Sequence, residues 1–245
     1  MILLPLLLVA AALLTPQAAS AVTCRDLSFE GTSYTVCEVA PASEDLRLFL
    51  RGDDGEILGQ FTDISRTLDS GQTLAFAMNA GMYHPDRRPV GYYVENGQRE
   101  TRLLTSASSG NFGLLPNGVF CIRDGRADVI ETLRFADTAP GCTYATQSGP
   151  MLVIDGALHP RFLPDSTSRH TRNGVGTSAD GKRALFAISN TPVTFYQFAR
   201  LFRDRLNTPN ALYFDGRISR LHAPQLNRSD SGFWMGPIVG VVSGN

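Results

Sequence analysis

Short apolar runs broken by Gly, Asn and Asp recur along the chain and set the first expectation about its fold. Tyr34-Thr-Val-Cys-Glu-Val39 and Leu46-Arg-Leu-Phe-Leu50 alternate or run apolar, with Pro41 and Gly52-Asp-Asp-Gly55 as punctuation. Thr73-Leu-Ala-Phe-Ala-Met78 is apolar and stops at Asn79, the pattern of a buried strand. Val90-Gly-Tyr-Tyr-Val94 meets Asn96-Gly97, and Gly118-Val-Phe-Cys-Ile122 meets Asp124-Gly125. Met151-Leu-Val-Ile154 meets Asp155-Gly156, and Ala184-Leu-Phe-Ala-Ile-Ser189 follows Asp180-Gly181. Each of these reads as a hairpin. Ile238-Val-Gly-Val-Val242 reads as a closing strand. Helical spacing stands out once, in Phe195, Phe198, Ala199, Phe202 and Leu206, with Thr191 placed to cap and Pro192 at the first position. That stripe is the face of a helix packed on a sheet. A second helix is expected around Asp63 to Leu68. The sum is an α+β fold: a mostly antiparallel sheet with one or two packed helices.

The two ends of the picture come from composition. Met1 to Pro16 is almost wholly apolar but shorter than the roughly 20 residues of a bilayer span. Ala19-Ser20-Ala21 fits small-x-small cleavage, so residues 1–21 are expected to be a signal peptide, with no stable membrane span after cleavage. A retained N-terminal anchor is the alternative. Residues 22–245 contain no linker, low-complexity tract or fixed-period repeat, and are expected to form one domain. All four cysteines (Cys24, Cys37, Cys121 and Cys142) fall in that part, and an even count in an exported chain favours disulfides. Of the three possible pairings, Cys24–Cys37 and Cys121–Cys142 join nearby segments and are favoured. A periplasmic or secreted location follows. The formal net charge is −1 and Lys182 is the only lysine; without a basic stripe, nucleic acid is not an expected partner.

Several short segments place polar groups at strand ends or on glycine turns. Asn79-Ala-Gly-Met-Tyr83 puts an amide at the mouth of a buried strand, and Gly81 allows a sharp turn or a close approach to a ligand; an ordinary turn reads the same way. His84 follows on a charged loop, either as a proton donor or simply solvated. Ser106 to Gly113, with Asn111 leading into a strand, and Gln147-Ser-Gly-Pro150 offer neutral partners for hydroxyls. Thr167 to Thr177 sets Arg172 beside Asn173-Gly174-Val175-Gly176, read as a glycine turn whose N–H groups reinforce an anion site. Tyr213-Phe-Asp-Gly-Arg-Ile-Ser219 delivers Asp215 from an apolar run. A surface Arg172 paired with Asp215 is the plain alternative. No cofactor motif is evident, and metal dependence stays open, because Asp and Asn oxygens can bind Ca²⁺ without a recognisable loop.

Taken in order, these segments resemble the phosphodiester glycosidase family. The resemblance rests on Asn79-Ala-Gly-Met-Tyr83, Pro89-Val-Gly-Tyr-Tyr-Val94, Gln147-Ser-Gly-Pro-Met-Leu-Val-Ile-Asp-Gly156, Arg172-Asn-Gly-Val-Gly176 and Phe214-Asp-Gly-Arg-Ile-Ser219, and covers about Thr73 to Ser243. Ala80 replaces the family's first glycine, and Arg217 stands where a second glycine is usual. The resemblance implies hydrolysis of a sugar-1-phosphodiester at the glycosyl–phosphate bond, the substrate being a glycosyl phosphodiester or a cell-envelope polysaccharide. It implies Asp215, Arg172 and Asn79 as catalytic, with Arg172 on the phosphate and Asp215 at the oxocarbenium-like centre. Gly81, His84, Asn111, Gln147, Asn173, Arg217 and Ser219 would bind substrate, and Asp86 or His84 would be the second acid. The alternative is a non-catalytic, exported carbohydrate-binding protein that assists exopolysaccharide or envelope assembly. A general phosphodiesterase is a third reading, without a visible metal cluster to support it.

Overall fold

A computed structural model describes residues 22–215 and 218–244. The expected signal peptide, residues 1–21, and Arg217 lie outside the described residues. In chain order the first strands are β1 (Thr23–Phe29), β2 (Thr32–Val39), β3 (Asp45–Phe49), β4 (Thr73–Asn79), β5 (Tyr93–Glu95) and β6 (Gln98–Thr101). Next come β7 (Gly118–Arg123), β8 (Arg126–Glu131), β9 (Tyr144–Ser148), β10 (Met151–Ile154), β11 (Ala157–Leu158) and β12 (Asn173–Thr177). The last are β13 (Ala184–Ser189), β14 (Asn210–Asp215), β15 (Leu221–Ala223), β16 (Arg228–Ser229) and β17 (Ile238–Ser243). Three short helices are interleaved: α1 (Phe61–Thr67), α2 (Thr132–Thr138) and α3 (Phe195–Arg200).

The strands form three sheets, ordered β1-β2-β13-β12-β14-β10-β11, β16-β15-β4-β17-β3 and β6-β5-β9-β7-β8. One apolar core joins all three: Phe186 of the first sheet meets Phe76 of the second at 4.9 Å and Phe120 of the third at 5.7 Å. Helix α3 covers the other face of the first sheet. The strand period of two explains the uninterrupted apolar runs: Phe186, Leu212 and Phe214 enter the shared core, while Leu185, Ala187, Ala211 and Tyr213 pack under α3. Both faces of β13 and β14 are therefore dry.

The Asn96-Gly97, Asp124-Gly125 and Asp155-Gly156 turns join β5 to β6, β7 to β8 and β10 to β11, as expected. Cys24–Cys37 crosses the β1–β2 pair and Cys121–Cys142 ties β7 to the segment before β9. Closing loops of 13 and 21 residues restricts the unfolded chain, an effect worth about 3 kcal/mol each.

Three local expectations need correction. Helix α3 starts at Phe195, capped by Thr194 in a reciprocal capping box with Gln197, not by Thr191. The segment before it is held extended because Val193 pairs with His170. The loop containing Asn111 does not lead directly into a strand; β7 begins at Gly118. Asn173-Gly174-Val175-Gly176 is not a turn but the central strand β12, hydrogen-bonded to β13 and β14. Its glycines answer a steric demand, since a Cβ on Gly174 would lie 2.4 Å from the Leu212 carbonyl oxygen at a β-bulge.

Candidate active site

Four strand ends converge on one buried polar cluster: the last residues of β4, β9 and β14 and the first of β12. Asn79 and Asn173, both fully buried, form a reciprocal amide pair between the second and first sheets. Asn79 Nδ2 donates to Asn173 Oδ1 at 3.2 Å, and Asn173 Nδ2 donates to Asn79 Oδ1 at 3.1 Å and to its carbonyl oxygen at 2.8 Å. The remaining acceptor capacity is also used. Arg220 N donates to Asn79 Oδ1 at 2.9 Å, and Asp215 N donates to Asn173 Oδ1 at 3.3 Å. Ser219 Oγ lies 3.0 Å from the Asp215 carbonyl oxygen and 3.4 Å from Asn173 Oδ1. From β9, Ser148 Oγ donates to the Phe214 carbonyl at 2.8 Å and Thr146 Oγ1 to the Ala80 carbonyl at 2.9 Å. Gly81 is buried beside Thr146. The amides are thus spent on holding the backbone, and half-buried Asp215 stands at the edge of this floor.

Arg172 sits next to Asn173 but not as a solvent-facing fork. Its side chain is buried, with the guanidinium 3.6 Å from the centre of the Phe195 ring. Nε donates to the Val193 carbonyl at 2.9 Å and Nη2 to the Ser168 carbonyl at 3.2 Å. Nη1 and the nearby Tyr213 hydroxyl are both buried without a hydrogen-bond partner, with the guanidinium 5.5 Å from the centre of the Tyr213 ring. Burial lowers the Arg172 pKa and raises that of Tyr213, while the guanidinium opposes the rise in Tyr213. The bidentate phosphate clamp expected from the sequence is therefore not what this geometry offers.

The other expected ligands separate. Gln147 is buried in β9 and spent: Oε1 accepts from Tyr92 N and Leu104 N, both at 3.0 Å, while Nε2 donates to the Leu104 carbonyl at 2.6 Å and Thr132 Oγ1 at 3.2 Å. It ties a loop to the third sheet, which corrects its assignment as a hydroxyl-binding residue. His84 is exposed on the loop leaving Asn79 and helps to line a depression of about 340 Å³ with Arg88, Thr101 and Arg102. Asn111 is exposed on the long loop before β7. Among the described residues, no group of three or more His, Cys, Asp or Glu is arranged to hold a metal ion.

Tyr83, Arg220 and Ser189 belong to the cluster but were not singled out from the sequence. Ser189 Oγ accepts from Arg172 N at 2.9 Å. Tyr83 has its phenol pKa raised, first by burial and then by the charge of Asp215, so it stays protonated beside that carboxylate. Its place at the end of the Asn79–Tyr83 segment was the available signal.

This arrangement can be set against known proteins. The phosphodiester glycosidase family model matches residues 72–228, which include Asn79, Arg172, Asn173, Asp215 and Ser219. The chain belongs to the phosphodiester glycosidase family. A relative, the uncharacterized Escherichia coli (strain K12) protein YigE, is 33% identical over 204 residues, spanning 82% of this chain and 80% of YigE. Among solved structures, the fold is similar to the catalytic domain of zebrafish N-acetylglucosamine-1-phosphodiester α-N-acetylglucosaminidase, auto-inhibited by its pro-peptide. That match has a TM-score of 0.61 at 14% identity, covering 90% of this chain and 81% of the zebrafish chain. A Burkholderia pseudomallei protein described as exported is similar at TM-score 0.55 and 11% identity, over 86% and 74% of the two chains. Family membership carries a hydrolase-like function. Both disulfides fit an oxidising compartment. Among the described residues, no helix is long and apolar enough to cross a membrane.

Proposed function

We propose that this phosphodiester glycosidase hydrolyses the glycosyl–phosphate bond of a sugar-1-phosphodiester outside the cytoplasm. The observation that carries the reading is the half-buried Asp215, fixed at the meeting of four strand ends by a reciprocal amide pair. Water attacks the anomeric carbon, the bond from that carbon to the phosphate oxygen breaks, and the electron pair leaves with a phosphomonoester. The water's proton passes to Asp215 or to solvent. A phosphate leaving group needs little protonation, so the constellation does not require a paired carboxylic acid in the manner of ordinary glycosidases. Asp215 supports the positive character of the sugar ring in the transition state. Asn173 and Ser219 hold its backbone, Asn79 holds Asn173, and the Tyr83 phenol, whose proton goes to the Trp234 carbonyl, stays un-ionised under its charge. Arg172 braces the floor from below. Arg217, two residues after Asp215 in the chain, is the cation assigned to the phosphate.

The test is hydrolysis of sugar-1-phosphate 4-nitrophenyl diesters with and without added phosphatase. Glycosyl–phosphate cleavage releases 4-nitrophenyl phosphate, so colour appears only when phosphatase is present, and ¹⁸O from labelled water enters the sugar. Direct release of 4-nitrophenol, or label in the phosphate, would replace this reading with phosphodiesterase chemistry. Sugar binding without turnover across a panel of sugars would support a carbohydrate-binding role instead.

A further inference from the structure

The loop between β16 and β17 presents Phe233 and Trp234 to solvent, 77% and 53% exposed; among the described residues only Leu133 and Leu163 are other large apolar side chains as open. Rings left in water add little of the burial that stabilises a fold, so two adjacent exposed aromatics are not explained by folding alone. The backbone beneath them is nevertheless pinned. Arg220 Nη1 donates to the Phe233 carbonyl at 2.9 Å, and its Nε and Nη2 donate to the Asp230 carbonyl at 3.0 and 2.7 Å. Tyr83 donates its hydroxyl to the Trp234 carbonyl at 3.1 Å, and Met235 N donates to the Gly59 carbonyl at 2.9 Å. The indole lies on Gly59, where φ is +69° and a Cβ would come within 2.7 Å of the ring, so only glycine serves there. One indole face is seated and the side chain remains half open.

The same two anchors reach the candidate site. Tyr83 feels the charge of Asp215, and Arg220 N holds Asn79 Oδ1. We propose that Phe233 and Trp234 form a stacking platform for a pyranose ring, a sugar subsite beside Asp215 that engages part of a glycan other than the bond being cut. An aromatic ring held rigid pays little entropy on binding and meets the axial C–H face of a pyranose by dispersion and quadrupole attraction, while the sugar's hydroxyls stay wet. The position of the platform rests on the reading of Asp215 as the reacting centre; the binding itself does not.

Trp234 is the only tryptophan, so its fluorescence reports on the platform directly. The full mature chain is titrated with two neutral probes that carry no phosphate, the trisaccharides of N-acetylglucosamine and of α-1,4-linked glucose. A saturable emission change with at least one probe is expected. Phe233→Ala, which keeps the reporter, should weaken that binding about 3- to 10-fold, and Trp234→Ala, followed by calorimetry, about 10-fold or more. Phe233→Ala should melt like the parent, because that ring is exposed; Trp234→Ala loses only the contact of one indole face with Gly59 and should stay folded. Absence of a saturable response with both probes overturns the proposal, as does unchanged affinity in Trp234→Ala. So does a loss of self-association in Trp234→Ala with no glycan response, which would make the patch a protein interface. Platform binding in a protein inactive on every diester would sustain this inference and sink the hydrolase reading. Diester hydrolysis with no Trp234-dependent binding would do the reverse.

Discussion

Replacing Arg172 with lysine separates a bracing role from a phosphate-holding one. Lysine keeps the charge but loses the planar surface that stacks 3.6 Å over Phe195 and cannot reach both the Val193 and Ser168 carbonyls with one fixed fork. One lost hydrogen bond from a charged donor costs about 1.5–3 kcal/mol, and the desolvated stack contributes about 1–2 kcal/mol. A destabilisation of about 3–4 kcal/mol follows, which for a domain of this size lowers Tm by about 6–16 °C. The assay is thermal unfolding of the ligand-free protein, monitored by near-UV circular dichroism, alongside diester hydrolysis. Arg172→Met serves as the control, since it fills the space over Phe195 but leaves both carbonyls without a partner. If Arg172→Lys melts within about 2 °C of the parent while hydrolysis falls, the bracing argument is refuted and the side chain must spend its hydrogen bonds on a ligand.

Asn173→Ala should cost about 3 kcal/mol by stranding Asp215 N–H and the Asn79 amide, and should lower kcat more than it raises KM; the Asn79→Ala, Asn173→Ala double variant should be far less than additive in Tm, because both singles break one pair. Glu95 is pushed up to about 7 by burial; its contribution is full below the unfolded value near 4.5 and is lost as pH rises through 7. Glu95→Gln should therefore gain about 2–3 kcal/mol over the parent at pH 8 and nothing at pH 4, read from urea midpoints. Arg217→Gly, which installs the residue usual in the family, should raise KM for a phosphodiester several-fold with a smaller change in kcat; an unchanged KM would free the phosphate from Arg217.

What could be read from the sequence was whatever is local. Asn96-Gly97, Asp124-Gly125 and Asp155-Gly156 announce their hairpins because positive φ is needed there, and the cysteine pairs lie close along the chain. The phenylalanine stripe of α3 and the apolar run of β14 were legible for the same reason. The larger differences come from partners distant in the chain. Gly174 and Gly176 look like a turn until Leu212 of β14, Phe202 and Thr208 are packed against them, and then their missing side chains are what lets the strand exist. Gln147 looks like a donor waiting for a sugar until Leu104 and Thr132 claim its amide. Arg172 looks like an anion clamp until Phe195 and two carbonyls enclose it. Motif order names residues that the fold brings together, Asn79, Asn173, Asp215 and Ser219, while the protein's own hydrogen bonds occupy several side chains the motifs offered to a ligand. Residues that a strand-end motif places beside a reacting centre were read as contacts with substrate, whereas Asn79, Asn173 and Gln147 make contacts within the protein. A buried polar group is stable only when satisfied, so the residues most deeply conscripted into a rigid site are those least able to touch a ligand. On the reading proposed above, ligand contact falls to groups at the cluster's edge or with open surface: Asp215 and the exposed rings of Phe233 and Trp234.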